Sequence, residues 1–236
     1  MLTAKISAAG FVFTAISLAS GAVFAEGAGQ VQHLSGTLSV QRPDGSIRIL
    51  SQKSEVNPGE VLSTQKDSYA QINFSDGSSM TMRPNTQMKL EQYKFVQDRP
   101  NEDSAFFRLV KGGLRTVTGL VGKRGNQDAY RIGTSTATIG IRGSSGETLD
   151  CTQGCEGVVP GGEKAEKAVY HNTLTGSYIM QSEDGTVIIG EGQFAQHKKG
   201  ETPQILKGDP GFRLNELPFL IGQNFNRSNA DNCVVK

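Results

Sequence analysis

Short segments in which apolar and polar residues alternate recur along this chain of 236 residues. Alternation with a period of two is typical of half-buried β-strands, whereas a helix shows apolar residues three or four positions apart. The strand pattern is clearest in Gln30–Leu34, Thr37–Val40, Ile47–Leu50, Ala70–Phe74, Met80–Met82, Ala168–Asn172, Ser177–Gln181, Thr186–Gly190 and Gln193–His197. The pattern therefore predicts an all-β protein built from short strands.

Turn signals separate many of these segments. Asp-Gly pairs occur at Asp44-Gly45, Asp76-Gly77 and Asp184-Gly185. Because glycine takes a positive φ without steric cost, each pair favours a tight hairpin turn. Asn57-Pro58-Gly59 is a further turn signal. The spacing of these turns is irregular, so they do not indicate a sequence repeat.

Four stretches follow one another in an order that is more specific than any of them alone. They are Gly36–Val40, Asn57–Leu62, Ala70–Thr86 and Phe106–Ser144, and the last ends in the compact signature Ala137–Ser144. Together they resemble a FecR-type domain over about Val31 to Ser144. The short strands are separated by glycine-rich corners. Together with these corners, the resemblance implies an elongated, twisted β-solenoid-like or rolled β-sandwich stack of short strands.

FecR-type domains occur in regulators of iron-uptake signalling. In those regulators a periplasmic portion receives a signal from an outer-membrane receptor, and a cytoplasmic N-terminal segment controls a sigma factor. This sequence resembles only the periplasmic portion, and we expect it to lack the cytoplasmic anti-sigma segment. Direct control of a sigma factor is therefore not expected.

The N-terminal segment has the pattern of an export signal. Lys5 precedes an uncharged apolar stretch, and Val23-Phe24-Ala25 offers a cleavage site. We expect residues 1–25 to be removed and the product to be periplasmic or secreted. A retained membrane anchor is the alternative. No later apolar run is long enough to span a membrane, so no span is expected after cleavage.

The remaining chain divides by composition. We expect a FecR-like β domain at 26–145, a cysteine-containing loop at 146–167, and further strands packed on the same core at 168–206. The loop is expected to project from the fold, because it is rich in glycine and charge. Residues 207–236 are rich in Pro, Asn and Gly and are expected to form a C-terminal extension that docks and then frays.

Two of the three cysteines, Cys151 and Cys155, lie close together with Gly154 between them. In an exported protein such a pair predicts a disulfide. Free thiols and a metal site are the alternatives, although no histidine stands at ligand spacing from the pair. The pairing of Cys233, close to the C-terminus, is left open.

Polar residues form no arrangement that predicts catalysis. The chain has no Gly-x-Ser-x-Gly elbow, and Gly140–Gly146 lacks the lysine and the following helix of a phosphate-binding loop. Asp44, Asp76 and Asp184 stand at turns, where Asp accepts backbone hydrogen bonds. Calcium binding is the alternative, but no segment offers the alternating ligands of a calcium loop. We therefore expect no enzyme, no catalytic residue, no metal and no cofactor.

Charge is balanced overall and uneven locally. The chain has 24 Lys and Arg against 23 Asp and Glu, and removal of Lys5 leaves 23 of each, so nucleic-acid binding is not expected. One stretch from residue 108 to residue 142 carries seven cations and the single acid Asp128. These cations are either solvated positions on strands or a basic surface for an acidic partner. They are Arg108, Lys111, Arg115, Lys123, Arg124, Arg131 and Arg142.

These observations favour a non-enzymatic exported protein that binds another protein in envelope sensing or assembly. The expected partner is an envelope or outer-membrane protein. The alternative is a binding module for cell-wall or extracellular polysaccharide. The absence of Trp and the presence of only five Tyr weaken that alternative, because aromatic faces are useful platforms for sugars.

Overall fold

The computed structural model describes residues 27–141 and 144–212 of the chain. Within these ranges the regular structure consists of 17 β-strands and three short 3-10 helices, without an α-helix. The all-β prediction is confirmed. The predicted signal peptide, Arg142 and Cys233 lie outside the described residues.

The strands are β1 (Gly29–Ser35), β2 (Leu38–Gln41), β3 (Ile47–Leu50), β4 (Glu55–Val56), β5 (Val61–Thr64), β6 (Tyr69–Phe74), β7 (Ser79–Met82), β8 (Gln87–Lys94), β9 (Ser104–Val117), β10 (Tyr130–Gly133), β11 (Thr138–Ile141), β12 (Ser145–Asp150), β13 (Val169–Thr175), β14 (Ser177–Ser182), β15 (Gly185–Gly190), β16 (Phe194–His197) and β17 (Gln204–Leu206). The 3-10 helices are Pro100–Glu102, Gln127–Ala129 and Gly162–Lys164.

Hydrogen bonding joins all 17 strands into one open sheet that consists of two ladders sharing β9. Ladder A has the order β4-β1-β6-β7-β9-β12-β13-β16-β17. Ladder B has the order β3-β2-β5-β8-β9-β10-β11-β14-β15. Neighbouring strands are antiparallel except β9 and β10, which are parallel. The first half of β9 is thus the central strand of ladder B, and its second half is the central strand of ladder A.

The main core lies between the inner faces of the two ladders. Phe74 of β6 packs its ring 5.2 Å from that of Phe107 on β9, which in turn lies 5.3 Å from Tyr130 on β10. All three side chains are buried. This aromatic chain crosses from ladder A to ladder B, so the two ladders form a rolled sandwich around one core.

The three predicted Asp-Gly turns connect β2 to β3, β6 to β7 and β14 to β15. In the second turn, Asp76 and Ser78 are buried. Asp76 accepts hydrogen bonds from Ser78 and from the Tyr93 hydroxyl through Oδ1, and from the Val121 amide through Oδ2. Asp76 therefore holds the loop after β9 against the hairpin, beyond the local turn role expected from the sequence.

The passage of β9 from one ladder to the other depends on Gly112 and Gly113. Gly112 has φ +91°, and a Cβ atom there would lie 2.6 Å from the Cα of Thr86. Thr86 lies in the corner that takes the chain from β7 in ladder A to β8 in ladder B. Its hydroxyl accepts a hydrogen bond from the Gly113 amide at 2.9 Å. The two crossing segments therefore touch backbone to backbone.

A buried histidine also joins the two inner faces. The ring of His171 on β13 lies 4.2 Å from the Tyr178 ring of β14, tilted by 48°, and its Nδ1 lies 3.0 Å from Thr148 Oγ1. Burial lowers the pKa of His171 from 6.5 to about 3. The imidazole is therefore neutral inside the folded protein over most of the acidic range.

We expect Gly112→Ala to lower the free energy of unfolding by about 3 kcal/mol or more, because the methyl group adds a clash with Thr86 to an unfavourable φ. Gly45→Ala is the matched control, since Gly45 has φ +83° but no atom within 4 Å of its hypothetical Cβ. The control substitution should lower the free energy of unfolding by only about 1–2 kcal/mol. Urea unfolding measures both, and equal losses would contradict the role of the close contact.

We also expect stability to fall as the pH is lowered below 6.5, because the unfolded chain then binds a proton at His171 that the folded protein does not. The His171 contribution is about 1.4 kcal/mol per pH unit between the two pKa values. His171→Gln removes it. The difference in unfolding free energy between the two proteins, measured across this range, should therefore change with pH, and parallel profiles would refute the assignment.

Candidate functional site

Residues 146–150, which were expected to belong to the cysteine loop, lie in β12, and the cysteine loop that follows, residues 151–167, covers part of the outer face of ladder A. Cys151 and Cys155 form a disulfide with a Cα–Cα distance of 4.9 Å, as predicted. The loop does not project, and that expectation is wrong. Its valines Val158 and Val159 pack in a second hydrophobic cluster with Leu149, Tyr170 and Phe194 on β12, β13 and β16. Glycine and charge suggested exposure, but the apolar valines decide the position of the loop.

The C-terminal part of the described chain adds to this cover. The Phe212 ring lies 4.9 Å from the Tyr170 ring in an edge-to-face contact. The Gly211 carbonyl lies so close to Gly161 that a Cβ atom at Gly161 would be 2.7 Å from it. Gly211 and Phe212 therefore pack against the cysteine loop and ladder A, respectively.

A buried ion pair lies under this cover. Arg83 Nη2 donates to Glu147 Oε2 at 2.6 Å, and both side chains are at most 1% exposed. Arg83 passes over Gly113, where a Cβ atom would lie 2.9 Å from its Cδ. Burial raises the pKa of Glu147, although the Arg83 guanidinium opposes the shift. The pair thus connects the end of β7 to β12 across the bend of β9.

The outer face of ladder B carries exposed apolar and basic side chains instead. Directly paired residues on five neighbouring strands of ladder B, β9, β10, β11, β14 and β15, form a cross-strand row. The row consists of Phe106, Arg131, Gly140, Ile179 and Ile188. Ile188 is 70% exposed, and Phe106 and Ile179 are half-buried. Directly paired residues point to the same side of a sheet, so this row is a continuous strip.

Two glycines shape the cross-strand row. A Cβ atom at Gly140, in the signature Ala137–Ser144, would lie 2.7 Å from Ile179 Cγ2. A Cβ atom at Gly133 would lie 3.1 Å from the Phe106 ring. The apolar side chains of neighbouring strands therefore lie over these glycines. Each glycine thus marks a place where a side chain of the adjacent strand approaches the backbone closely.

Arginines flank the aromatic member of the row. The Arg108 guanidinium lies 5.4 Å and that of Arg131 5.5 Å from the centre of the Phe106 ring. Arg108 also pairs with Glu91 at 2.9 Å. Among the described residues, Arg131 has no carboxylate within ion-pair distance. The ring and one unneutralised guanidinium are thus presented together to solvent.

The structure brings together only part of the predicted basic surface. Arg108, Lys111 and Arg131 lie on the outer face of ladder B. Arg115 lies on ladder A, 3.9 Å from Glu147. Lys123 donates to the Thr118 carbonyl at 2.7 Å. The seventh cation of the stretch, Arg142, lies outside the described residues.

Arg124 is engaged within the fold. It pairs with the buried Asp103 at 3.0 Å and donates to the carbonyls of Val96 and Gln97. Its guanidinium also lies 4.7 Å from the Phe95 ring. Charge alone could not separate this internal role from an exposed one.

A polar chain at the other end of the sandwich was not predicted from the sequence. His197 lies with Nε2 3.2 Å from Asp184 Oδ2 and with Nδ1 2.9 Å from Thr136 Oγ1. The three residues line a pocket of about 290 Å³ with Ser135, Glu183 and Lys199. The imidazole is 1% exposed and has both nitrogens engaged. It ties the β14–β15 turn of ladder B to β16 of ladder A. The sequence signals near it were the turn at Asp184-Gly185 and the strand pattern Gln193–His197, neither of which indicates that the two meet.

Metal ligands do not gather in the part of the chain that the structure describes. Within residues 27–141 and 144–212, no three His, Cys, Asp or Glu side chains are arranged to hold a metal ion. The same residues include no helix long and apolar enough to cross a membrane.

Comparison with known proteins agrees with the resemblance seen in the sequence. Residues 60–159 match the family model described as FecR protein. Two crystal structures of a candidate anti-sigma factor from Parabacteroides distasonis ATCC 8503, at 1.65 and 2.50 Å resolution, align with a TM-score of 0.45 at 11% and 10% identity. Each match covers 63% of this chain and 60% of that one. No curated protein matches the chain.

We expect Glu147→Gln to lower the free energy of unfolding by about 3 kcal/mol, because it leaves the Arg83 charge buried without its carboxylate. Glu102→Gln is the matched control, since Glu102 pairs with Lys94 at the exposed surface. It should leave stability nearly unchanged. Chemical unfolding at neutral pH measures both variants, and a Glu147 variant as stable as the control would show that the buried pair contributes little.

Proposed function

Because the chain carries a FecR domain, we propose that it is a non-enzymatic, exported protein-binding module that acts in envelope sensing or assembly. Its binding surface is the outer face of ladder B. The partner is an envelope or outer-membrane protein.

The cross-strand row supports this proposal. It presents Phe106, Ile179 and Ile188 on regular strands whose inner faces are packed in the core. Aromatic and arginine side chains are enriched among the residues that dominate protein interfaces. A rigid strip of this composition is available for binding without a change in the fold. Ladder A offers less surface for binding, because the cysteine loop already covers its outer face at β12, β13 and β16.

Export is supported by two independent features. The Lys5 start, the apolar stretch and Val23-Phe24-Ala25 form the pattern of a signal peptide. The Cys151–Cys155 disulfide is of the kind that persists in oxidising compartments such as the periplasm. A periplasmic or secreted location follows from the proposal.

Polysaccharide binding, the alternative from the sequence, gains no support from this face. Sugar-binding surfaces commonly use several aromatic platforms. The cross-strand row contains one aromatic ring, Phe106, and two isoleucines. Its apolar members suit a protein side chain better than a hydroxylated ring.

The proposal predicts a position-specific contact in cells. A photocrosslinking amino acid at Ile188 should give one discrete adduct in the native host, identified by mass spectrometry as an envelope protein. The same probe at Glu163, which is exposed on the cysteine loop, is the matched control and should give no such adduct. Adducts of equal yield at both positions, or none at Ile188, would contradict ladder B as the binding face.

A further inference from the structure

We propose that the cross-strand row binds an extended acidic segment of a partner protein, in which two apolar residues flank one carboxylate. This inference rests on the proposed function and specifies the chemistry of the partner. The segment crosses ladder B at a right angle to its strands, from Phe106 towards Ile188.

Charge favours an acidic segment. Lys89, Arg108, Lys111 and Arg131 lie on the outer face of ladder B around β8, β9 and β10, and Glu91 is their acidic neighbour. Glu91 is shared, because Lys89 approaches it at 2.6 Å and Arg108 at 2.9 Å. These two cations hold its pKa below the ordinary value. Lys111 and Arg131 have no carboxylate partner among the described residues, so an incoming carboxylate gains an unshared cation.

The order of residues along the row determines the order of apolar and acidic residues in the partner segment. Arg131 and Gly140 stand between Phe106 and Ile179. Ile179 lies over Gly140, so Arg131 is the side chain in this interval that a carboxylate can meet. The two apolar members on either side then receive apolar side chains. An acid lying between two apolar anchors fits this sequence of surfaces.

The spacing along the row sets the length of the segment. Neighbouring strands lie about 4.8 Å apart, so Phe106 and Ile179, three strands apart, are separated by about 14 Å. An extended chain advances about 3.3 Å per residue with alternate side chains on one face, so anchors about four positions apart span this distance. The residue midway between them faces the same way and meets Arg131. The recognised pattern is therefore apolar-x-acid-x-apolar.

The test uses the exported chain and three synthetic peptides that carry the cores Leu-Ser-Glu-Ser-Phe, Leu-Ser-Lys-Ser-Phe and Ser-Ser-Glu-Ser-Ser. Titration is followed by amide chemical shifts in NMR spectra of the isotope-labelled protein. The first peptide should bind, with the largest shifts at Arg131, Gly140 and Ile179. The lysine and serine peptides should bind at least about tenfold more weakly, because each lacks one of the two interactions.

A charge exchange provides the sharper control. Arg131→Glu should weaken binding of the Leu-Ser-Glu-Ser-Phe peptide by about tenfold or more, and it should strengthen binding of the Leu-Ser-Lys-Ser-Phe peptide. Lys164→Glu makes the same change at an exposed position on the cysteine loop and should affect neither peptide. Circular dichroism and thermal unfolding verify that both variants remain folded.

Each outcome decides between the inference and the function on which it rests. If Ile188 crosslinks to an envelope protein but the peptides bind equally or not at all, the acidic pattern is wrong and the proposed function stands. Binding of polygalacturonate or of phosphatidylglycerol vesicles through Arg131, without binding of the Glu peptide, would also overturn the inference. If neither the crosslink nor peptide binding occurs, the proposed function fails as well.

Discussion

The close backbone contact between Gly112 and Thr86 is the constraint on which the rest of the structure depends. It lets β9 leave ladder B and enter ladder A at the point where the chain also crosses from β7 to β8. Only glycine combines a positive φ with room for such an approach. Once this crossing is fixed, both ladders have the same central strand, and their inner faces must enclose one core.

The crossing also determines how differently the two outer faces are used. Gly113 leaves space for Arg83, and Arg83 reaches Glu147 across the bend. A buried ion pair needs shelter from water and further polar contacts to offset its desolvation. The disulfide-closed loop supplies the shelter on ladder A. On the outer face of ladder B, the ion pairs of Glu91 with Lys89 and Arg108 are partly exposed. No loop covers the apolar and basic side chains of the cross-strand row among the described residues, so they remain accessible to a partner.

The sequence predicted the local features of this fold well. Alternation located the strands, and the Asp-Gly pairs located three hairpins, because both signals act over a few residues. The spacing of Cys151 and Cys155 likewise predicted their disulfide. The shared role of β9 could not be predicted, since it depends on contacts between residues far apart in the chain. For the same reason the basic stretch did not reveal that Arg124 faces inward while Arg131 faces solvent.

The position of β9 also means that the stretch matched by the family model contains only the middle of each ladder. The family match spans residues 60–159, a stretch that contains β5 to β12 and the cysteine pair. It excludes β1 to β4 on one side and β13 to β17 on the other. Excision of the matched stretch would remove strands from both ends of both ladders and leave one edge of β5, β6, β11 and β12 without its hydrogen-bonded neighbour. The residues that match the family model therefore do not make up either ladder on their own.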